Sequence, residues 1–252
     1  MNVSDLLGQN MLEYASRLIF YSEIINVPHD GWAIVSGMGG GAGGCKSYSP
    51  GNSAPWGVRA QAVSAGSVIG FAIGAGGAAT LETGKPSLAG GSTIISIDGV
   101  PLMTCQGGDA GPTSDITTSP VAASVTGADY WRRGVASVTT ANGFYSGGAA
   151  VDIGFGINNI SSVGGKAAPK GFHMWPFNLT TSGVESGGVG VGGSVGVEAG
   201  IFGGGYGVAV GQGSAFMPGR GGSAGRCSDP SRAPWPGGDG LGYLRLYKRI
   251  GG

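Results

Sequence analysis

Charge is what this chain has least of. Fourteen Lys and Arg stand against fourteen Asp and Glu in 252 residues, so the net charge is zero and charged residues make up 11%. That balance excludes the basic footprint of a nucleic-acid binder and the cationic patch of an anionic-membrane binder. It also excludes a disordered chain held open by its own charge. Cysteine is scarce too: Cys45, Cys105 and Cys227 are odd in number and far too widely spaced for a CxxC-type zinc site. They read as free, buried thiols from a reducing compartment, with a single Cys45–Cys105 bridge as the alternative. The two histidines, His29 and His173, have no metal-ligand spacing, and no metal or cofactor is expected. The N-terminus lacks the basic region and small-residue cleavage site of a signal peptide. Residues 60–81 carry no charge, but Gln61, Ser64, Ser67 and several glycines make them strand–turn–strand material rather than a membrane span.

Catalytic signatures are missing as well. Gly188, Gly190 and Gly193 formally match a dinucleotide fingerprint, but nothing there reads as a strand feeding a helix, which that motif needs. There is no P-loop, and no Gly-x-Ser-x-Gly has strand–helix context. Asp98 and Asp109 sit in turn sequences, where they bond their own backbone. The chain is not expected to be an enzyme.

What it has in excess is glycine, 56 residues of it, far above the usual share of about 7%. Between Gly183 and Gly213, glycine recurs every third residue at Gly187, Gly190, Gly193 and Gly196, then with slippage at Gly200, Gly203, Gly207 and Gly211. Val189, Val191, Val195, Val197, Ile201, Val208 and Val210 are interleaved. A flexible linker is Ser- and charge-rich instead. Two backbones suit the pattern. One is a strand with small residues on one face. The other is a polyproline-II-like helix with three residues per turn, whose bare glycine edge lets neighbouring segments share backbone hydrogen bonds.

Residues 1–26 differ, with Gly8 as their one glycine. Val3, Leu7, Met11, Tyr14 or Ala15, and Leu18 recur at helical spacing, Asn2 or Ser4 suits a cap, and Pro28 and Gly31 mark a stop. An amphipathic helix follows, lying on its own domain or docking a partner through Leu7, Met11, Tyr14 and Leu18. From His29 the chain reads as strands punctuated by glycine: 31–36 into a glycine run at 37–44, then 58–63, 67–73, 92–97 and 100–105, with Asp98-Gly99 as a hairpin turn.

That order carries a resemblance. A strand enters polyglycine, and SAGSVIGFAIGAGG follows at Ser64 to Gly77, with the family's hairpin motif at Gly66 to Gly77. GG-x-T stands at Gly90 to Thr93, a glycine motif at Gln106 to Gly111, and Pro236 to Gly240 leads into a last strand at 241–247. The sequence resembles the glycine-rich domain of bacteriophage tail-fibre, adhesin and baseplate proteins over residues 30–111 and 203–250, less so between, and the N-terminal segment has no place in it. The resemblance implies a mainly β chain: a glycine-rich β-sandwich with polyglycine-II-like segments, preceded by one N-terminal α-helix. Residues 1–28 would be the helical docking segment and 29–252 the glycine-rich domain, with an insertion at about 112–182. It further implies a virion structural protein, assembled in the host cytoplasm and contacting other virion proteins and a bacterial surface receptor, protein or glycan. Self-association stays open, and a purely architectural capsid or tail piece is the alternative. Receptor contacts would fall on loops: Tyr130, Trp131, Arg132 and Arg133; the aromatic cluster Phe172, His173, Trp175 and Phe177; and Trp235. Rings suit sugar faces and arginine suits acidic groups. The bland reading of each tryptophan is a cap over a core short of large side chains.

Overall fold

Among the described residues, strands account for every regular element. The computed structural model describes residues 10–43, 52, 54–80, 82, 85–110, 122–132 and 236–250, with two-residue strands at 138–139, 145–146, 160–161 and 164–165. Two five-stranded antiparallel sheets pack against each other. Sheet A runs, in spatial order, β1 (Met11–Ile19), β14 (Leu241–Arg249), β3 (Gly31–Met38), β4 (Trp56–Val63) and β9 (Tyr130–Arg132). Sheet B runs β2 (Glu23–Asn26), β5 (Val68–Ala72), β6 (Thr93–Ile97), β7 (Val100–Cys105) and β8 (Val125–Thr126). Two separate hairpins pair β10 (Val138–Thr139) with β11 (Tyr145–Ser146), and β12 (Ile160–Ser161) with β13 (Gly164–Gly165). The chain passes from sheet A to sheet B between β1 and β2 and between β4 and β5, and returns to sheet A between β2 and β3 and between β8 and β9.

The expected N-terminal helix is not there: residues 11–19 and 23–26 are strands. The reason lies in one residue. β1 pairs with β14 in register until Glu13, then skips Tyr14 and resumes at Ala15. A bulge adds one residue to a strand and flips the alternation beyond it. Met11 and Leu18, seven apart, therefore point to the same face of sheet A and pack on the same cluster. Tyr14 and Ala15 turn the other way, and Tyr14 packs on the inter-sheet core, edge-on to His29 at 5.2 Å. A seven-residue repeat on one face is what a helix produces, and the bulge imitates it. Leu7 lies outside the described residues.

The core between the sheets is built by complementary volumes. Gly242, Gly37 and Gly57 stand side by side across β14, β3 and β4. Opposite them, Phe71, Ile95 and Met103 stand side by side across β5, β6 and β7. A Cβ on Gly242 would come within 2.6 Å of the Phe71 ring, and one on Gly57 within 2.7 Å of Val125. The glycine row thus makes a trough that takes the large row. Ala33, Val35, Leu244 and Leu246 complete sheet A's side, while Val27 and Ile69 stand with sheet B. Each such side chain contributes about 1.5–3 kcal/mol on burial. Cys105 lies here fully buried as a free thiol, its Sγ–H donating to the Gly37 carbonyl at 3.1 Å, which agrees with the expectation of buried free thiols for this residue. Cys45 and Cys227 lie outside the described residues.

Candidate functional site: the glycine-stacked end

At one end of the two sheets five strands adjoin glycine-rich segments. β3 runs out into 39–43, β5 into 73–78 and β7 into 106–109, while 88–92 leads into β6 and 236–240 into β14. These five segments stack on one another. Segment 39–43 is buried throughout, and its main chain bonds to all four others. Gly40 N–H donates to Gly91 O, Gly41 N–H to Gly238 O and Gly43 N–H to Leu88 O. In return Gly40 O accepts from Gly108 N–H, and Gly41 O from Gly77 N–H, all at 2.8–3.0 Å. Further bonds join the outer segments: Gly91 N–H to Ala75 O, Gly90 N–H to Gly108 O, Gly237 N–H to Gly77 O and Gly240 N–H to Gly74 O. Asn52, itself buried, occupies one more flank, accepting from Ala42 N–H and donating to Asp109 O.

The bonding has a period. Gly40 and Gly43, three apart, donate to the same neighbour at residues three apart in the opposite direction. Exposure repeats likewise: Gly74 and Gly77 are buried, Ala75 and Ala78 exposed. The absence of side chains is what permits the spacing. A Cβ on Gly40 would collide with the Ala75 carbonyl, on Gly90 with Gly40, on Gly76 with Gly237, and on Gly107 with Gly90. Buried main chain without strand or helix pairing needs partners elsewhere, and here each segment supplies the others.

Side chains fasten the stack to the sheets. Thr93, at the start of β6, is completely buried. Its hydroxyl donates to Met38 O at 2.7 Å and accepts from Gly74 N–H at 3.0 Å, tying β3, β5 and β6 at the junction. Asp239 Oδ1 accepts from Gly76 N–H at 2.8 Å. Asp109 Oδ2 accepts from Ala122 and Ala123 N–H at 2.6 and 3.0 Å, and Gln106 Oε1 from Ser124 N–H at 2.7 Å, closing the connection that leaves at 110. The sequence signals for these were Gly90 to Thr93 for the threonine and the turn reading of Asp109.

The long connections share this end. Residues 44–55 join 39–43 to β4, 79–87 join two glycine segments, 110–122 follow β7's segment, and 133–235 leave from β9 and return at Pro236. Among the described residues the opposite end carries short turns. In one, Asp98, at φ 51°, and Gly99 join β6 to β7, and Asp98 Oδ1 accepts from Val68 N–H. In another, Asp30 Oδ1 accepts from Ala65 N–H beside Gly66. Asn10 and Ile250 meet there as well, through Ile250 N–H to Asn10 O at 2.7 Å.

The expected contact residues divide accordingly. Tyr130, Trp131 and Arg132 form β9, an edge strand of sheet A, rather than a loop. Tyr130 is 46% exposed and meets Trp56 edge-on at 6.1 Å, whereas Trp131 leans on the inter-sheet core. Arg133, Phe172, His173, Trp175, Phe177 and Trp235, with the repeat at 183–213, lie outside the described residues. On the far edge of sheet A, Glu13 Oε2 accepts from Arg245 and from Tyr247 Oη, and Arg245 stacks over the Tyr247 ring. Burial, then the Glu13 bond, push the Tyr247 hydroxyl well above its ordinary value, so it stays a donor. Among the described residues no group of His, Cys, Asp or Glu could hold a metal. No protein-family model matches the chain, and no curated protein matches its sequence. The chemistry available at this end is rigid main chain and presented loops.

Proposed function

We propose that this chain is a virion structural protein of a bacteriophage tail, at a fibre tip or baseplate, and that its glycine-stacked end holds loops against a bacterial surface receptor, protein or glycan. The observation that carries the reading is the polarity of the molecule. The long connections leave the glycine end, while Asn10 and Ile250 sit together at the other, and on this reading the glycine end faces outward and the other joins the particle. The three-residue period of bonding and exposure supports reading the five segments as polyglycine-II-like helices, and the glycine repeat at 183–213 as more of the same. Such a bundle is stiff and presents little side-chain surface of its own, leaving recognition to what it carries.

The test is competition for adsorption. Purified chain, added to host cells before the phage, lowers adsorption, and variants Tyr130→Ala and Trp175→Ala lose that effect while keeping the wild-type unfolding midpoint. If the folded wild-type chain never competes and both substitutions leave adsorption of assembled particles unchanged, the protein is architectural only. Trp131, which rests on the core, is not used, because its substitution would report on packing.

A further inference from the structure

Three large apolar side chains stand open to solvent within five residues of one another. Phe20, Tyr21 and Ile24 are 37%, 68% and 74% exposed, at the corner that carries the chain from β1 to β2. The corner lies at the glycine end. Ile19, just before it, pairs with Gly242 at the start of β14, and Ser22 Oγ accepts from Ile73 N–H at 2.9 Å where β5 runs out. The corner is held on both sides. Ile19 is completely buried, Ile25 packs on the inter-sheet core, and Glu23 pairs with Arg17 at 2.6 Å between the two edge strands. Phe20 and Tyr21 are thus displayed from a fixed frame, which lowers the ordering cost of binding. Ile24 leads onto the outer face of sheet B. It stands opposite Gly70 on β5, and Ala72, next on the same face, stands opposite Ile94 on β6. Two isoleucines therefore border a low strip of glycine and alanine. Asn26 and Ser96 continue the same face, and none of its strand residues is charged.

We propose that this corner and strip bind an uncharged oligosaccharide of the bacterial surface. A sugar ring lies on Tyr21, and further units run along the strip, where Asn26 and Ser96 meet their hydroxyls. The chemistry of the surface argues for that occupant. A neutral sugar has C–H faces that rest on aromatic and aliphatic groups, and hydroxyls that take amide and hydroxyl partners. An acidic sugar or a phosphate calls for an available cation. The corner's own cation, Arg17, is already paired with Glu23, and the strip carries none. The proposal rests on the receptor reading above and narrows it to one class of receptor, met by β2 and its corner as well as by the loops.

The test uses the full chain and polysaccharide released from host cells by mild acid, cut to oligosaccharides and split on an anion exchanger into neutral and acidic fractions. Saturation-transfer NMR and titration report binding. The neutral fraction is expected to bind, its C–H protons receiving saturation from the protein. Tyr21→Ala should weaken binding about three- to tenfold, and Tyr21→Phe, which keeps the ring, should restore most of it. Ile24→Asn, on an exposed strand position, should weaken it too and gives a second reading if Tyr21→Ala does not fold. Val100→Ala, at a residue 68% exposed beside the turn at the opposite end, should change nothing. No binding of the neutral fraction, preference for the acidic one, or binding that Tyr21→Ala and Ile24→Asn both leave unchanged overturns the proposal. The adsorption competition separates the failures. A chain that competes yet binds no neutral oligosaccharide overturns this proposal alone, and one that does neither overturns the receptor reading as well.

Discussion

Substituting one methyl group into the middle of the stack is the most direct perturbation of its logic. Gly40 sits in the buried central segment, and a Cβ there would fall inside contact distance of the Ala75 carbonyl. The obstacle is main chain, which has no rotamer by which to escape. Relief requires segment 39–43 to move away from 73–78, stretching the bonds Gly40 N–H to Gly91 O and Gly108 N–H to Gly40 O. A buried group left without its partner costs about 1–3 kcal/mol, and overpacking a tight interior adds about 1–3 kcal/mol. Against this, alanine restricts the unfolded chain and returns less than about 1 kcal/mol. Gly40→Ala is therefore expected to lose about 3–4 kcal/mol at the middle of those ranges, about 1–6 kcal/mol at their limits, a large share of the ~5–15 kcal/mol that holds a domain folded. Gly66→Ala is the control. Gly66 has φ 89° and open space around its missing side chain, so it exposes only the left-handed backbone cost of about 1–2 kcal/mol. Urea unfolding followed by circular dichroism gives both midpoints, and an unchanged slope confirms that stability alone has moved. If Gly40→Ala falls within about 1 kcal/mol of Gly66→Ala, close main-chain contact is not what holds the segments together.

Thr93→Val keeps the shape but orphans Met38 O and Gly74 N–H, so it should cost about 2–4 kcal/mol in the same assay, whereas Thr93→Ser keeps the hydroxyl and should lose about 1 kcal/mol. Asp109→Ala should leave the Ala122 and Ala123 amides exchanging about tenfold faster in hydrogen-exchange experiments, and Asp109→Asn, which keeps an acceptor oxygen, should restore most of the protection. Burial pushes the Cys105 thiol up to about 12, while the unfolded thiol titrates near 8.5. The folded chain thus holds a proton that the unfolded chain releases: stability is level below about pH 8 and falls as pH rises towards 12. Cys105→Ala should flatten the lower part of that alkaline slope, and Tyr247→Phe the upper part, because Tyr247 is also raised by burial. In native protein Cys105 should react with a thiol reagent only at the rate of unfolding.

The strands that could be read from sequence were short apolar stretches set beside a glycine run or a turn: β3, β4, β5, β6, β7 and β14, with the Asp98-Gly99 hairpin where the dipeptide puts it, and with a shift of register between β6 and β7 that the sequence did not announce. β1 was hidden because its bulge at Tyr14 gives Met11 and Leu18 a helical spacing. Deleting the first 26 residues would remove an edge strand from each sheet, so failure of the shortened chain to enter particles would report unfolding. β9 was hidden for another reason. Three residues, Tyr130 to Arg132, are too few to show a period, and pairing with β4 decides their place. Of the junction, Thr93 was visible in its glycine-flanked motif. The partners of its hydroxyl were not, since Met38 and Gly74 are brought to it only by the fold.

The position of β14 has a temporal consequence. It separates β1 from β3, and its leading glycines are bonded into the stack. While a ribosome is still making residues 40–235, the first strand of sheet A has no neighbour and the central glycine segment lacks one flank. Sheet A is complete only once β14 has been made, and until then the nascent chain carries unpaired strand edges that favour self-sticking.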